Sequence, residues 1–179
     1  RIGNYSWEST MSIQNTLKTA IVSSSIMLSA TYSAFALEMR EIGSFKIGEG
    51  EGYAEMLRYH PKSKSLMVTA SETGTIERLS INPVTQISKM EPLDLSGGDV
   101  TAVAIHGDMV AASIKGDAAD SAGMVRLFDT SGKEIASFTT GPLPDNLAFS
   151  PDGRYILTAN EGEPSDDYTV DPEGSFTLI

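Results

Sequence analysis

Six carboxylates crowd the stretch from Ala159 to Gly174: Glu161, Glu163, Asp166, Asp167, Asp171 and Glu173. No lysine or arginine falls among them. Carboxylate oxygens are the donors that hard cations prefer. Glu161, Asp166, Asp167, Asp171 and Glu173 are therefore candidate ligands for calcium or magnesium, with calcium the expected cofactor. The spacing is not that of an EF-hand loop, which needs acids at alternating positions followed by glycine. The competing reading is a solvated, self-repelling surface loop. Pro164 and Pro172, with Gly162 and Gly174, restrict the shape of this loop, and loops held on rigid scaffolds are where binding usually resides.

Other residues offer less. Asn160 and Glu161 stand at the end of a strand-like run, where they could meet a ligand or cap a turn. His60 and His106 end matching strands of two repeats, so they are read as packing residues rather than metal ligands. Ser150 and Ser165 lie in no nucleophile-elbow sequence. No phosphate-cradling P-loop and no H-E-x-x-H motif occurs. No catalytic residue is assigned.

The elements that must hold these residues are strands. Short Val-, Ile-, Leu- and Thr-rich runs recur between Gly, Pro, Asp and Ser, the pattern of an all-β chain. Leu57, Val103 and Leu147 open equivalent units at separations of 46 and 44 residues. Each unit runs strand, turn, strand, as in Leu147 to Ser150, the turn Pro151-Asp152-Gly153, then Tyr155 to Ala159. Third strands follow at Thr75 to Ile81, Met124 to Asp129 and Ser175 to Ile179, and fourth strands near Ser88 to Leu95 and Glu134 to Thr139. Four strands in about 45 residues make one blade of a β-propeller. About three blades are expected, near residues 53–98, 99–142 and 143–179, with a β-sandwich as the alternative. Closed rings need about four to eight blades, so the ring is expected to be incomplete here, with the remaining blades of a longer chain as its partner. Met39 to Ile47 is expected as an extra strand ahead of the first blade.

Blade connectivity sorts the charges. Loops between second and third strands, and between fourth and first strands, share one face of the disc. That face receives Asp94, Asp99, Asp117, Asp120, Asp145 and the Glu161–Glu173 cluster. The opposite face receives Lys62, Lys64, Lys133 and Arg154, with Asp108 and Asp152 as exceptions. An acidic, cation-attracting face is predicted.

Residues 11–36 read as a secretory signal peptide, with Lys18, a small and apolar run and the Ala34-Phe35-Ala36 pattern. Residues 1–10 read as translated upstream sequence, and 37–179 as the N-terminal part of the propeller. Removing residues 1–36, which carry Arg1, Lys18 and Glu8, leaves 11 basic and 23 acidic side chains and a formal charge of −12. That charge argues against nucleic acid and anionic membrane surfaces as partners. There is no cysteine, so no disulfide supports the fold although an exported protein could form one. No later apolar run is long enough for a membrane-spanning helix.

The run A-N-E-G-E-P-S-D-D-Y-T-V-D-P-E-G at Ala159–Gly174 resembles the signature of the choice-of-anchor I family. Glu72 to Ile76, Gly141 to Asp145, Ser150 to Arg154 and the leading Ile42 to Phe45 also fit that family. The resemblance implies a bacterial propeller exported to the periplasm, cell surface or medium. Relatives are similar to the animal mesenchyme-specific cell-surface glycoprotein and to atypical large alkaline phosphatases. The expected function is binding of a ligand or cell-surface partner through the acidic, calcium-binding face. The alternatives are a calcium-dependent, alkaline phosphatase-like phosphoesterase and a structural surface protein without a small-molecule site.

Overall fold

The computed structural model describes residues 39–96 and 98–179. The expected signal segment and the residues before it lie outside the described residues.

Each unit begins as a hairpin whose register is set by its turn. In the first, β1 (Leu57–His60) pairs with β2 (Ser65–Ala70), placing Leu57 opposite Val68. In the second, β6 (Val100–His106) pairs with β7 (Met109–Ile114), and Val103 faces Ala112. In the third, β10 (Pro144–Phe149) pairs with β11 (Ile156–Asn160), and Leu147 faces Thr158. The three positions spaced 46 and 44 residues apart thus occupy one structural place.

The sheets then grow outward. Strand β3 (Thr75–Ser80) adds to the first, β8 (Ala122–Asp129) to the second and β12 (Ser175–Leu178) to the third, all antiparallel. The second sheet is completed by β9 (Glu134–Pro142). In the first sheet the fourth strand is two pieces, β4 (Ser88–Lys89) and β5 (Leu93–Asp94), both paired to β3. Pro92 lies between them and has no N–H to give a ladder. The expected unbroken strand over Ser88 to Leu95 is corrected accordingly.

The sheets pack face to face. Met67 and Ile76 of the first sheet, with Leu93 and Leu95, meet Val103, Val110, Ala112, Ile114 and Phe128 of the second. Ala102, Ala104, Ala111 and Val125, on the other side of the second sheet, meet Leu147 and Ile156 of the third. Period-2 alternation is what lets one strand supply both joints. Burying a side chain the size of Leu147 stabilises by about 1.5–3 kcal/mol. The first strands β1, β6 and β10 lie beside one another along the inner edge.

Each joint carries a histidine. His60 is buried, and its Nε2 donates to the carbonyl oxygen of Gly107 at 2.9 Å in the next sheet's turn. His60 Nδ1 accepts from the Ser63 backbone N–H at 3.2 Å, which fixes the Nε2–H form. His106 lies 5.7 Å from the Phe149 ring and against Gly153 of the third sheet's turn. Both histidines join sheets.

Residues 39–48 form no strand, contrary to the expectation for Met39 to Ile47. Phe45 and Ile47 instead border an apolar groove over Leu57, Leu66, Val68 and Leu79 of the first sheet. Lys89 Nζ donates to Ile47 O at 3.2 Å. Among the described residues no helix is long and apolar enough to cross a membrane.

Candidate functional site

The inner edge ends in an acidic cavity of about 470 Å³. Every sheet contributes to it. Glu55 precedes β1, Asp99 precedes β6, Asp145 is on β10, and Glu161 and Glu163 follow β11. This is the face on which the loop-sorting argument placed Asp99, Asp145 and the acidic cluster. A second cavity of about 380 Å³ shares Lys115 and Glu163 and adds Asp117 and Asp166.

Among the described residues Lys115 is the one cation bordering both cavities. Its Nζ sits 2.6 Å from Asp99 Oδ2, and its backbone N–H donates to Asp99 O at 3.0 Å. The hydrogen bond that Lys115 donates to Asp99 holds the lysine above its usual range, against a smaller opposing effect of desolvation. The fields of Asp99, Glu163 and Glu55 add to the rise. Both side chains are more than a third exposed, so the pair contributes little to stability. Its effect is to keep one fixed positive charge among carboxylates. Sequence reasoning missed Lys115. Extending the β6–β7 hairpin from its turn would set Lys115 opposite Val100; a register shift between Val100 and Ala102 moves it opposite Asp99, and nothing in the sequence marks that shift.

The rim is held by contacts between sheets. Thr101 Oγ1 donates to Pro144 O of the third sheet and, within its own sheet, shares a 2.9 Å hydrogen bond with Ser113 Oγ. The acidic loop is tied to the cavity at its start, where the Glu161 N–H donates to Leu143 O at 2.8 Å. Gly162 has φ +65°, and a Cβ there would lie 2.8 Å from Pro172 O and 2.9 Å from Glu173 O. The two limbs of the loop therefore touch at a point that only glycine accommodates.

Asn160 is buried and fully engaged. Its Oδ1 accepts from Thr158 Oγ1 at 2.9 Å, and its Nδ2 donates to Ser175 Oγ and Thr177 Oγ1, each at 3.0 Å. It fastens β11 to β12 rather than facing a ligand.

The five candidate metal ligands do not share one place. Glu161 borders the larger cavity and Asp166 the smaller. Asp167 closes its own turn, with Oδ1 accepting from Ser165 Oγ at 2.8 Å, Thr169 Oγ1 at 2.8 Å and Thr169 N–H at 3.1 Å. The Ser165 hydroxyl first, then Thr169, holds this carboxyl below its ordinary range. Asp171 and Glu173 are exposed and border neither cavity. Among the described residues no three His, Cys, Asp or Glu side chains come together as a metal cage. Calcium takes 6–8 oxygens, so these acids do not fit that ion as a preformed site. On the opposite face, Lys62 Nζ pairs with Asp108 Oδ2 at 2.6 Å, joining the turns of the first two sheets.

Antiparallel sheets of three to five strands, packed face to face about their first strands, define a β-propeller protein, here with an incomplete ring. The choice-of-anchor I domain matches residues 55–179, and the chain belongs to that family. No curated protein matches the sequence. Hydrazine synthase of Kuenenia stuttgartiensis is similar in fold, with a TM-score of 0.57 and 18% identity over 71% of this chain and 39% of that one. A periplasmic gluconolactonase of Pseudomonas aeruginosa has a TM-score of 0.51 and 17% identity, over 72% of this chain and 43% of that one. The chain thus spans well under half of each, and at these identities the likeness is one of fold alone.

Proposed function

We propose that this chain belongs to a secreted or cell-surface propeller that binds a ligand or partner through its acidic face. The observation that carries this reading is the convergence of Glu55, Asp99, Asp145, Glu161 and Glu163, from all three sheets, on one open cavity. Clefts lined by one sign of charge concentrate ions of the other sign. Cationic groups are therefore the chemistry the face would recruit. Export is consistent with a choice-of-anchor domain, a type typical of secreted or surface-anchored bacterial proteins.

Calcium is the cation this reading assigns to the face. It would be taken by the exposed carboxylates of the loop, with water completing its shell, rather than by a ready-made cage. A ligand that binds only the folded chain raises its melting temperature. Calcium titration is expected to raise Tm, while sodium at matched ionic strength does not. The double variant Glu161→Gln/Glu163→Gln is expected to lose most of that rise. An identical Tm with and without calcium in the wild-type chain would remove the metal from this reading. An oligolysine peptide that bound wild type and double variant equally would remove the acidic face itself.

One observation favours keeping the phosphoesterase alternative. Lys115 is a cation standing where a phosphate entering the acidic face would need one. Hydrolysis of p-nitrophenyl phosphate that needs calcium and falls in Lys115→Met would support it. Absence of hydrolysis with calcium present leaves the binding reading alone.

A further inference from the structure

The first sheet's turn sets a hydroxyl on a buried imidazole. The β6–β7 hairpin turns through Gly107 and Asp108, neither of which carries a hydroxyl. The β1–β2 hairpin takes a longer turn, Pro61 to Lys64, with Lys64 at φ +49°. That turn folds back until Ser63 Oγ lies 2.5 Å from His60 Nδ1. The proton positions follow from the partners. Gly107 O only accepts, so His60 Nε2 carries the hydrogen and Nδ1 of the neutral ring bears a lone pair. The Ser63 hydroxyl therefore donates to Nδ1, beside the Ser63 N–H at 3.2 Å. The buried Ser65 Oγ, 2.6 Å away, then donates to Ser63 Oγ. Ser63 itself is exposed and borders an open cavity of about 420 Å³ with Lys62, Asp108 and Ser131. The Gly107 bond joins two sheets, whereas the Ser63 bond stays inside one turn.

A hydroxyl held by a base, with the base anchored by a third group, is the arrangement of an activated nucleophile. We propose that Ser63 is a nucleophile for acyl transfer, with His60 as its base and small carboxylic esters as the substrate class. Ser63 Oγ bonds to the ester carbonyl carbon as its proton passes to His60 Nδ1. The bond from that carbon to the leaving oxygen breaks, and the leaving alkoxide takes the proton from Nδ1. The products are an alcohol and acyl-Ser63, which water hydrolyses to the acid by the same route. Lys62, whose Nζ is held by Asp108 at 2.6 Å, is the cation in this cavity that the developing oxyanion would meet. The site lies on the face opposite the acidic cavity and does not depend on the ligand reading above.

The test is acetylation of the whole chain by p-nitrophenyl acetate, with the acetyl group located by peptide mass spectrometry. Hydroxylamine removes an acetyl ester from serine and spares an acetyl amide on lysine, which separates Ser63 from Lys62 and Lys64. The expected result is a hydroxylamine-labile acetyl on Ser63, formed about 100-fold faster in the folded chain than in urea, within the range of general-base help. Acylation should also slow in heavy water, because the Oγ proton moves in that step. Ser63→Ala alters an exposed side chain, so it should keep the wild-type Tm and lose the labile acetyl. A wild-type chain acetylated only on lysine, or not at all, would overturn the proposal. Equal rates at Ser63 in the folded and unfolded chain would remove His60 as its base.

Discussion

Alanine at Gly153 tests whether the turn of one sheet and the histidine of its neighbour form a single mechanical unit. Gly153 lies in the β10–β11 turn with φ +70°, and its N–H donates to Ser150 O at 2.9 Å. A Cβ at this point would sit 2.3 Å from both Cδ2 and Nε2 of His106. Two costs follow. The left-handed backbone costs an L-residue about 1–2 kcal/mol. Forcing the imidazole aside in a packed joint costs about 1–3 kcal/mol more. Gly153→Ala should therefore destabilise by about 2–5 kcal/mol. In a His106→Ala background the ring is gone and only the backbone part, about 1–2 kcal/mol, should remain. A double-mutant cycle by urea unfolding should then show a coupling of about 1–3 kcal/mol. The midpoint should move while the slope stays fixed. Equal costs in both backgrounds would refute the idea that His106 and Gly153 meet across the joint.

Two further outcomes follow from the repeat. Leu147→Ala should cost about 2–5 kcal/mol and Leu57→Ala less than about 1 kcal/mol by urea unfolding, although both occupy the same place in their sheets, because only Leu147 is enclosed. The carboxyl of Asp167 should titrate below the ordinary aspartate range by NMR and return toward it in Ser165→Ala, since the Ser165 hydroxyl is the largest cause of its depression. Because its folded value is the lower one, its support of the acidic loop should be present above about pH 4 and fade as pH falls through that lower value.

The fold was legible because propeller units repeat their register as well as their composition. The Leu57, Val103 and Leu147 positions could be aligned from spacing, and the hairpins place them opposite Val68, Ala112 and Thr158. The break in the first sheet's fourth strand was also visible in principle, since Pro92 cannot donate to a ladder. Met39 to Ile47 misled because strand-like composition does not create a pairing edge. Phe45 and Ile47 of that stretch find apolar side chains of the first sheet instead of a backbone partner, while Met39 and Ile42 stay exposed. The acidic face was legible from loop alternation, yet the fate of each carboxylate was not. Asp167 and Asp171 look alike in sequence, and only local hydroxyls engage one of them in a turn. Asn160 looked like a ligand-facing residue because it ends a strand. Its three partners, Thr158, Ser175 and Thr177, lie as far as seventeen residues away.

The split between Ser88–Lys89 and Leu93–Asp94 has a consequence at the outer rim. An uninterrupted exposed strand offers a row of free amides and carbonyls that a stray chain can copy. Here Pro92 removes one donor, the two remnants are only two residues each, and Lys89 places a charge beside them. A foreign segment arriving at this border finds no run long enough to zip onto, so growth of cross-strand aggregates from the first sheet is blocked at its margin.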